Sequence, residues 1–461
     1  MLRVRMLAWS IAIVLMMTCP IAAQLAGGGG GAGGNSQNSS GIQIDSKGVM
    51  SLIVANDGAG TLDKKRREAL AKKGASLDFN RRSNMRFVSL IELEKQIERS
   101  LVEQASIPNE LFYLAGLQRL AFVYVYPEER DLVIAGPADG FVPDSVGRMI
   151  GVESGRPALR LDDLFIAMRT LLSSTQIGCS IDPVPERLAE LQQFIRQGEP
   201  ATIDVVEARF NQMDQILGLQ DVRIDGVPPD SHFATALVEA DYRMKRIAIG
   251  LETPRVKGLK SHLATTGTGG NTMQRWWFVP HYDSLSRSDD GNSFRFAGSR
   301  ARLLTEEEVS DAKGIRSSST TINKSAQTFA RRFTEKFSEL ADNSPVFGEL
   351  QNLIDWSILA ALLSHERIPE RIGWKQELFL DASRLNHPKF EVPKKVPSQV
   401  NYKRAGNVVV GQVCGGVVVF PQKTYESTIA VWQNSELSEG HKSASASRKH
   451  DIIRWWWDRG E

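Results

Sequence analysis

The residues best placed for chemistry lie on one predicted helix, over residues 232–250 (HFATALVEADYRMKRIAIG). At 100° per residue, four polar side chains fall within about 60° of one another on its surface: His232, Glu239, Arg243 and Arg246. An imidazole beside a carboxylate and two guanidinium groups is suited to general acid–base chemistry or to holding an anionic ligand. His232 and Glu239 are therefore the candidate acid–base pair, and Arg243 and Arg246 are candidate ligand-binding residues.

A structural interpretation of the same helix competes with this one. Glu239–Arg243 and Asp241–Lys245 have the i,i+4 spacing of ordinary helix ion pairs, which contribute roughly 0.2–0.5 kcal/mol each. Asp230 and Ser231 are capping candidates directly before His232, which would place the imidazole at the helix start. We favour the structural interpretation because spacing on one helix does not establish that a pocket lies beside it.

Other catalytic classes have no coherent motif in this chain. Cys179 has apolar neighbours, which favour a buried thiol of raised pKa over a nucleophile. The sequence contains no G-x-S-x-G, no H-E-x-x-H and no closely spaced cysteine pair. The segment Ser288–Asn292 lacks the ligand pattern of a calcium loop and is predicted to be a hairpin turn. We therefore expect no catalytic motif, no metal site and no cofactor.

Trp455, Trp456 and Trp457 near the C-terminus are candidate interaction residues. If exposed, three consecutive indoles would form an apolar patch suited to a partner or a sugar surface. If the tail folds back, they close the core as a strand. We favour the second arrangement because an exposed tryptophan triplet would promote aggregation.

The clearest local element is a hairpin of Phe122–Tyr126 and Leu132–Ala135 around a turn at Pro127–Arg130. Apolar residues at three- and four-residue intervals predict helices over residues 161–172, 186–197, 203–217 and 346–363, besides the His232 helix. Further strands are predicted at 275–279, 293–296, 408–410 and 417–420. Helices and strands are segregated without a βαβ rhythm, which predicts an α+β fold of helices and short antiparallel strands.

Residues 1–23 have the pattern of a secretory signal peptide. Arg3 and Arg5 precede a twelve-residue apolar run, Met6–Met17, and Ala22-Ala23 supply small residues for cleavage near Ala23. Twelve residues span about 18 Å as a helix, which is short of the roughly 30 Å hydrocarbon core, so cleavage is favoured over an uncleaved anchor. The mature chain is then expected to be exported, to the periplasm or the extracellular space, without a membrane span.

The chain has 461 residues, with 56 Lys+Arg and 54 Asp+Glu. Without Arg3 and Arg5 the numbers of basic and acidic side chains are equal, so no electrostatic argument supports nucleic-acid binding.

Residues 24–41 are expected to form a Gly/Asn/Ser-rich flexible linker. A glycine- and threonine-rich stretch at 253–274 predicts a second linker between an N-terminal α+β domain (42–252) and a C-terminal α+β domain (275–461). Cys179 and Cys414 remain after cleavage; pairing is possible in an oxidising compartment, but unpaired buried thiols are favoured.

Five segments together resemble the planctomycete "domain of unknown function 1598" proteins: Leu117–Phe141, Ile177–Leu188, Val227–Leu251, Arg275–Tyr282 and Asn352–Ala361. The similarity runs from about residue 42 to the terminal tryptophans. It implies export in a planctomycete-type cell and no activity, because the family is defined without one. The Gly-rich linker and Cys414 beside Gly415-Gly416 depart from the family pattern, so no uniform disulfide arrangement follows from the resemblance.

The function expected from the sequence is that of an exported, non-enzymatic binding or interaction module of the cell envelope, with an envelope protein as its candidate partner. The alternative is an exported hydrolase in which His232 and Glu239 form the acid–base pair and Arg243 or Arg246 is the anion clamp. The sequence identifies neither a substrate nor a partner.

Overall fold

The computed structural model describes residues 40–53, 61–72, 78–197, 206–266, 273–311, 313–319, 323–405, 407–431, 435–448 and 454–459. The predicted signal peptide and residues 24–39 of the predicted linker lie outside the described residues. Within the described ranges the chain forms 19 strands and 15 helices, which confirms the α+β class.

The strands are β1 (Ile42–Ile44), β2 (Met50–Leu52), β3 (Ser83–Ser89), β4 (Phe122–Tyr126), β5 (Asp131–Ala138), β6 (Phe141–Pro143), β7 (Met149–Gly151), β8 (Ile177–Asp182), β9 (Leu219–Asp225), β10 (Met273–His281), β11 (Ser284–Arg287), β12 (Ser293–Ala297), β13 (Arg300–Ser310), β14 (Arg316–Ser318), β15 (Lys395–Pro397), β16 (Val400–Ala405), β17 (Asn407–Val419), β18 (Ile429–Val431) and β19 (Trp456–Asp458).

The helices are α1 (Thr61–Ala71), α2 (Leu90–Val102), α3 (Asn109–Phe112), α4 (Leu161–Ser173), α5 (Pro185–Gln197), α6 (Val206–Leu217), α7 (His232–Ala248), α8 (His262–Thr265), α9 (Lys324–Glu335), α10 (Phe337–Asn343), α11 (Pro345–His365), α12 (Ile368–Ile372), α13 (Glu377–Leu380), α14 (Pro421–Thr428) and α15 (Ser435–Ser447).

Two large sheets organise the fold. The first has the order β14-β13-β10-β17-β8-β9-β15, with β16 also paired to β17, and the second has the order β18-β11-β12-β4-β5-β3-β19. Most neighbouring strands are antiparallel, as expected. Two pairs are parallel, β10 with β17 and β11 with β18.

Strands from both sides of the predicted linker at 253–274 share both sheets. In the first sheet β17 lies between β8 and β10, and in the second sheet β12 pairs with β4. The predicted linker thus connects elements within the same sheets and does not separate two sheets. Residues 253–266 form a connection that includes α8 and has buried side chains at Val256, Leu259 and Leu263.

Helices α7 and α11 lie at the centre of the fold. Helix α7 packs on β8 and β17, and α11 packs on α4, α7, α10 and α14. Among the described residues one helix, α11, is long and apolar enough to cross a membrane, but its apolar window is entirely buried within the protein. Its composition is therefore that of a core helix, whose buried faces contact other elements all round.

Gly415 and Gly416 permit close packing in the middle of the first sheet. Gly415 has a φ of +126°, and a Cβ there would overlap the carbonyl oxygen of Trp276 on β10. A Cβ at Gly416 would overlap the carbonyl oxygen of Cys179 on β8. Only glycine lets both neighbouring backbones approach β17 this closely.

The C-terminal tryptophans fold back onto the second sheet. Trp456 and Trp457 pair with Val88 and Phe87 on β3, and all three indoles are at most 8% exposed. Trp456 and Trp457 lie in the edge strand β19, which Trp455 directly precedes, and the three indoles do not present the exposed aromatic patch that the interaction hypothesis requires. The predicted hairpin is also confirmed, as β4 and β5.

Candidate functional site

His232 lies at the first turn of α7, as its sequence context suggested. Ser231 caps the helix, because its Oγ accepts a hydrogen bond from the Ala234 amide at 3.1 Å. The imidazole is buried, with Nδ1 2.9 Å from Oδ2 of Asp163 and Nε2 3.4 Å from Oε1 of Glu349. Both ring nitrogens therefore face carboxylates.

The two carboxylates determine the protonation state of His232. Burial and the nearby Arg160 guanidinium lower the pKa of His232, but the attraction of Asp163 and the hydrogen bonds to Asp163 and Glu349 outweigh them and raise that pKa to about 9. Arg160, in turn, donates to Asp162 through Nε at 2.9 Å and Nη2 at 2.8 Å. Burial raises the pKa of Asp163. At neutral pH His232 is thus a buried imidazolium held between carboxylates.

Glu239 is fully buried two turns further along α7. Its Oε2 accepts a hydrogen bond from the Gly41 amide at 2.9 Å, and its Oε1 accepts one from Arg243 Nε at 2.8 Å. Arg148 contacts the same Oε2. Burial alone would raise the pKa of Glu239, but Arg148 and Arg243 hold it below its ordinary value. Glu239 is therefore an ionised carboxylate held by two guanidinium groups and one backbone amide.

Arg148 joins the two parts of the helix face. It precedes β7, contacts Glu239, and donates through Nε to Oε2 of Glu349 at 2.9 Å. His232 and Glu239 are consequently connected through Glu349 and Arg148 and do not contact each other. The predicted face exists, but its charges are neutralised by α4, α11 and the turn before β7.

The first described residues of the chain also contact this network. Ser40, Gly41 and Ile42 are buried, and a Cβ at Gly41 would overlap the Glu239 carboxylate. The last two residues of the predicted flexible linker thus belong to the folded body. A larger residue at this position would have to displace the end of the Glu239 or the Arg243 side chain.

A cavity of about 460 Å³ lies beside the network. Five arginines and three acidic residues contribute to its lining: Arg66, Arg148, Arg243, Arg246, Arg255, Asp63, Asp144 and Glu252. Among the described residues, neither His232 nor Glu239 lines it. The structure therefore brings the two predicted ligand-binding arginines to one cavity and leaves the predicted acid–base pair behind its wall.

Glu252, just after α7, pairs with both predicted arginines. Its Oε1 accepts a hydrogen bond from Arg243 Nη1 at 3.0 Å, and its Oε2 lies 3.6 Å from Arg246 Nε. The Glu252 side chain is 21% exposed. A carboxylate thus occupies the space between the two guanidinium groups at the cavity wall.

The second i,i+4 pair of α7 is not an ordinary surface pair. Asp241 and Lys245 are both fully buried, 2.7 Å apart, and Lys245 Nζ also donates to the carbonyl oxygens of Gly415 at 3.1 Å and Ile181 at 3.3 Å. Burial raises the pKa of Asp241 to about 6 although Lys245 opposes this. Through these hydrogen bonds the ammonium group connects α7 to strands β8 and β17.

The cysteines and the Ser288–Asn292 segment, which the sequence analysis also considered, have structural surroundings. Cys179 and Cys414 are free and buried, and burial raises the pKa of both thiols. No group of three or more potential metal ligands occurs within the described ranges. Ser288–Asn292 is the turn between β11 and β12, with Asp290 accepting hydrogen bonds from its own neighbours.

Sequence reasoning missed three members of the network, Arg148, Asp163 and Glu349. A signal was present at the last position, because Glu349 and Asp355 are the only acidic residues inside the apolar helix α11. Charges within an otherwise apolar helix are almost never buried without a partner. That signal predicts a buried ion pair but does not name the partner.

Residues 179–262 match the model of the family described as "Protein of unknown function (DUF1598)". This range runs from β8 to α8 and contains the whole of α7, including Glu239, Arg243 and Arg246. No curated protein and no solved structure matches the chain.

Proposed function

We propose that this protein is an exported, non-enzymatic binding module that holds a small ligand in the arginine-lined cavity. Arg243 and Arg246, which the sequence indicated as candidate ligand-binding residues, both line one cavity of about 460 Å³, and this supports the proposal. This volume lies within the range of small-molecule sites, about 300–1,000 Å³. Charged groups beside apolar side chains can fix the orientation of such a ligand.

The surroundings of His232 and Glu239 favour binding over the alternative hydrolase. A general acid or base must reach the proton it transfers, directly or through one water. Both nitrogens of His232 face carboxylates, and Glu239 is enclosed by Arg148, Arg243 and Gly41. These contacts supply structural partners for both groups, which favours a structural role over acid–base catalysis.

Export rests on the N-terminal sequence, with Arg3 and Arg5 before the apolar run Met6–Met17. The test is the intact mass and N-terminal sequence of the protein from its own cell-envelope fraction. We expect a chain beginning near Gln24. Leu15→Arg, which interrupts the apolar run, should leave an unprocessed chain in the cytosol, whereas Asn38→Arg should not. A wild-type chain that retains Met1 would contradict cleavage.

Ligand binding is tested by native mass spectrometry of the same purified protein. We expect a reproducible bound mass in the wild type and its loss in Leu251→Trp, because an indole at this lining position fills the cavity. Leu219→Trp is the matched control, since Leu219 and Leu251 are 36% and 38% exposed and Leu219 does not line the cavity. A bare wild-type chain, or a bound mass that Leu251→Trp leaves unchanged, would contradict the proposal.

A further inference from the structure

We infer that the cavity selects an amphipathic organic monoanion, whose carboxylate takes the place of Glu252 between Arg243 and Arg246 while its apolar body occupies the rest of the cavity. This inference rests on the proposed function and names its ligand class. It follows from the charges of the lining, from the position of Glu252 and from the apolar walls.

Five arginines and three acidic residues line the cavity. Asp63 accepts a hydrogen bond from Arg67 at 3.2 Å, and Asp144 accepts hydrogen bonds from the amides of Val146 and Arg148. Glu252 pairs with both Arg243 and Arg246, so it is the acidic group that an anionic ligand would replace there. A carboxylate in that place would be attracted by the same two guanidinium groups, and a cationic head group would be repelled.

Arg246 has one guanidinium donor without a protein partner among the described residues. This donor is the buried Nε, and the nearest carboxylate oxygen, of Glu252, is 3.6 Å away. Its Nη2 donates to the Leu251 carbonyl at 3.2 Å. A buried donor without a partner costs about 1–3 kcal/mol, and an anion that satisfies it would recover part of that cost.

Glu252 shows which chemical group fits between the guanidinium groups. It occupies that position as a carboxylate, yet it lies in a surface connection and remains partly exposed. Partly exposed ion pairs are weak, contributing at most about 1 kcal/mol. A ligand carboxylate that also buries apolar surface would therefore outcompete the glutamate side chain.

Apolar side chains also line the cavity and would supply binding free energy for such a body. Leu52, Ile53, Leu62 and Leu251 line it with exposed or half-buried side chains, and they come from the end of β2, from α1 and from the segment after α7. Burying apolar ligand surface against them contributes about 25 cal/mol per Å². A small inorganic anion would forgo this contribution, which is why the ligand is expected to carry an apolar chain or ring.

The test is isothermal titration calorimetry of the full mature protein with octanoate, octanol and octylamine. These probes share one apolar chain and differ in the charge of the head group. We expect octanoate to bind at least about tenfold more tightly than the other two, Glu252→Gln to tighten octanoate about tenfold, and Arg246→Gln to weaken it about tenfold. Arg331→Gln and Glu335→Gln, on an exposed pair of α9, are matched controls that should change nothing.

Two outcomes would overturn the inference while leaving the binding function intact. Octanol binding as tightly as octanoate, with no response to Glu252→Gln, would show a cavity without anion selectivity. If none of the three probes binds, but the wild type carries a native ligand that Leu251→Trp does not, the ligand belongs to another chemical class. If native mass spectrometry of the wild type showed no bound ligand, the proposed function itself would be contradicted.

Discussion

Nδ1 of His232 lies 2.9 Å from Oδ2 of Asp163, and this contact joins the start of α7 to the first turn of α4. Both side chains are buried, so the charge of the imidazolium is compensated by protein groups and not by water. The free energy of this arrangement depends on the protonation of His232, which makes it measurable through pH.

The first prediction concerns the stability of the protein between pH 6.5 and pH 9. The pKa of His232 is about 9 in the folded protein and near 6.5 in an unfolded chain. Its protonation therefore stabilises the fold fully below about pH 6.5, and this contribution is lost as the pH rises through about 9. Urea unfolding at pH 6, 7.5 and 9 should show the wild type losing up to about 3 kcal/mol relative to His232→Gln.

His365→Gln is the control for this comparison, because His365 is half-exposed. Its unfolding free energy should follow that of the wild type at each pH. Parallel curves for the wild type and His232→Gln would show that His232 is not held as an imidazolium.

The second prediction concerns the enclosed carboxylate of Glu239. Glu239→Ala leaves Arg148, Arg243 and the Gly41 amide without this partner, so we expect a loss of about 3–5 kcal/mol in the free energy of unfolding. Glu252→Ala should cost at most about 1 kcal/mol because that pair is partly exposed. A loss below about 2 kcal/mol for Glu239→Ala would instead indicate a group kept for function.

The third prediction concerns the buried pair of Asp241 and Lys245. Lys245→Met leaves a buried carboxylate without its cation and should cost about 3–5 kcal/mol in chemical denaturation. The double variant Lys245→Met/Asp241→Leu should recover most of that loss, since an apolar pair needs no compensation. Arg331→Met, in an exposed i,i+4 pair, should stay within about 1 kcal/mol of the wild type. A double variant as unstable as the single one would refute this account.

The fourth prediction concerns the close approach of strands at Gly415. Gly415→Ala forces a Cβ into the Trp276 carbonyl and should destabilise the protein by more than about 3 kcal/mol or prevent folding. Gly258→Ala is the matched control, because Gly258 also has a positive φ but nothing lies within 4 Å of its added Cβ. Its cost should be limited to backbone strain of about 1–2 kcal/mol. Equal melting temperatures for the two variants would contradict the tight packing.

The fifth prediction concerns the thiols of the mature chain. Cys179 and Cys414 are buried, and burial raises their pKa values, so neither presents a thiolate to a reagent. An aromatic disulfide reagent should titrate no thiol in the native protein and two after unfolding without reductant. The double variant Cys179→Ser/Cys414→Ser defines the background. No reaction after unfolding would show that the two cysteines are paired.

Much of the local structure could be predicted because its causes are local. The β4–β5 hairpin follows from strand-forming residues around a turn, and α7 and α4 follow from apolar residues at three- and four-residue spacing. The folding back of Trp455–Trp457 was also predicted, from the aggregation that an exposed triplet would cause. The domain boundary expected at 253–274 stays a prediction; strands from both sides of it pair within the same sheets, and such long-range pairing leaves little trace in local composition.

The candidate site was predicted only in part. The sequence by itself determined that His232, Glu239, Arg243 and Arg246 share one helix face, because helical geometry alone sets that relationship. Only the tertiary structure decided that His232 faces Asp163 and Glu349, 69 and 117 positions away, and that Arg243 and Arg246 reach a cavity. The physical reason is that the energy of a charge depends on its burial and on the distances to other charges, and both are determined by how distant elements pack.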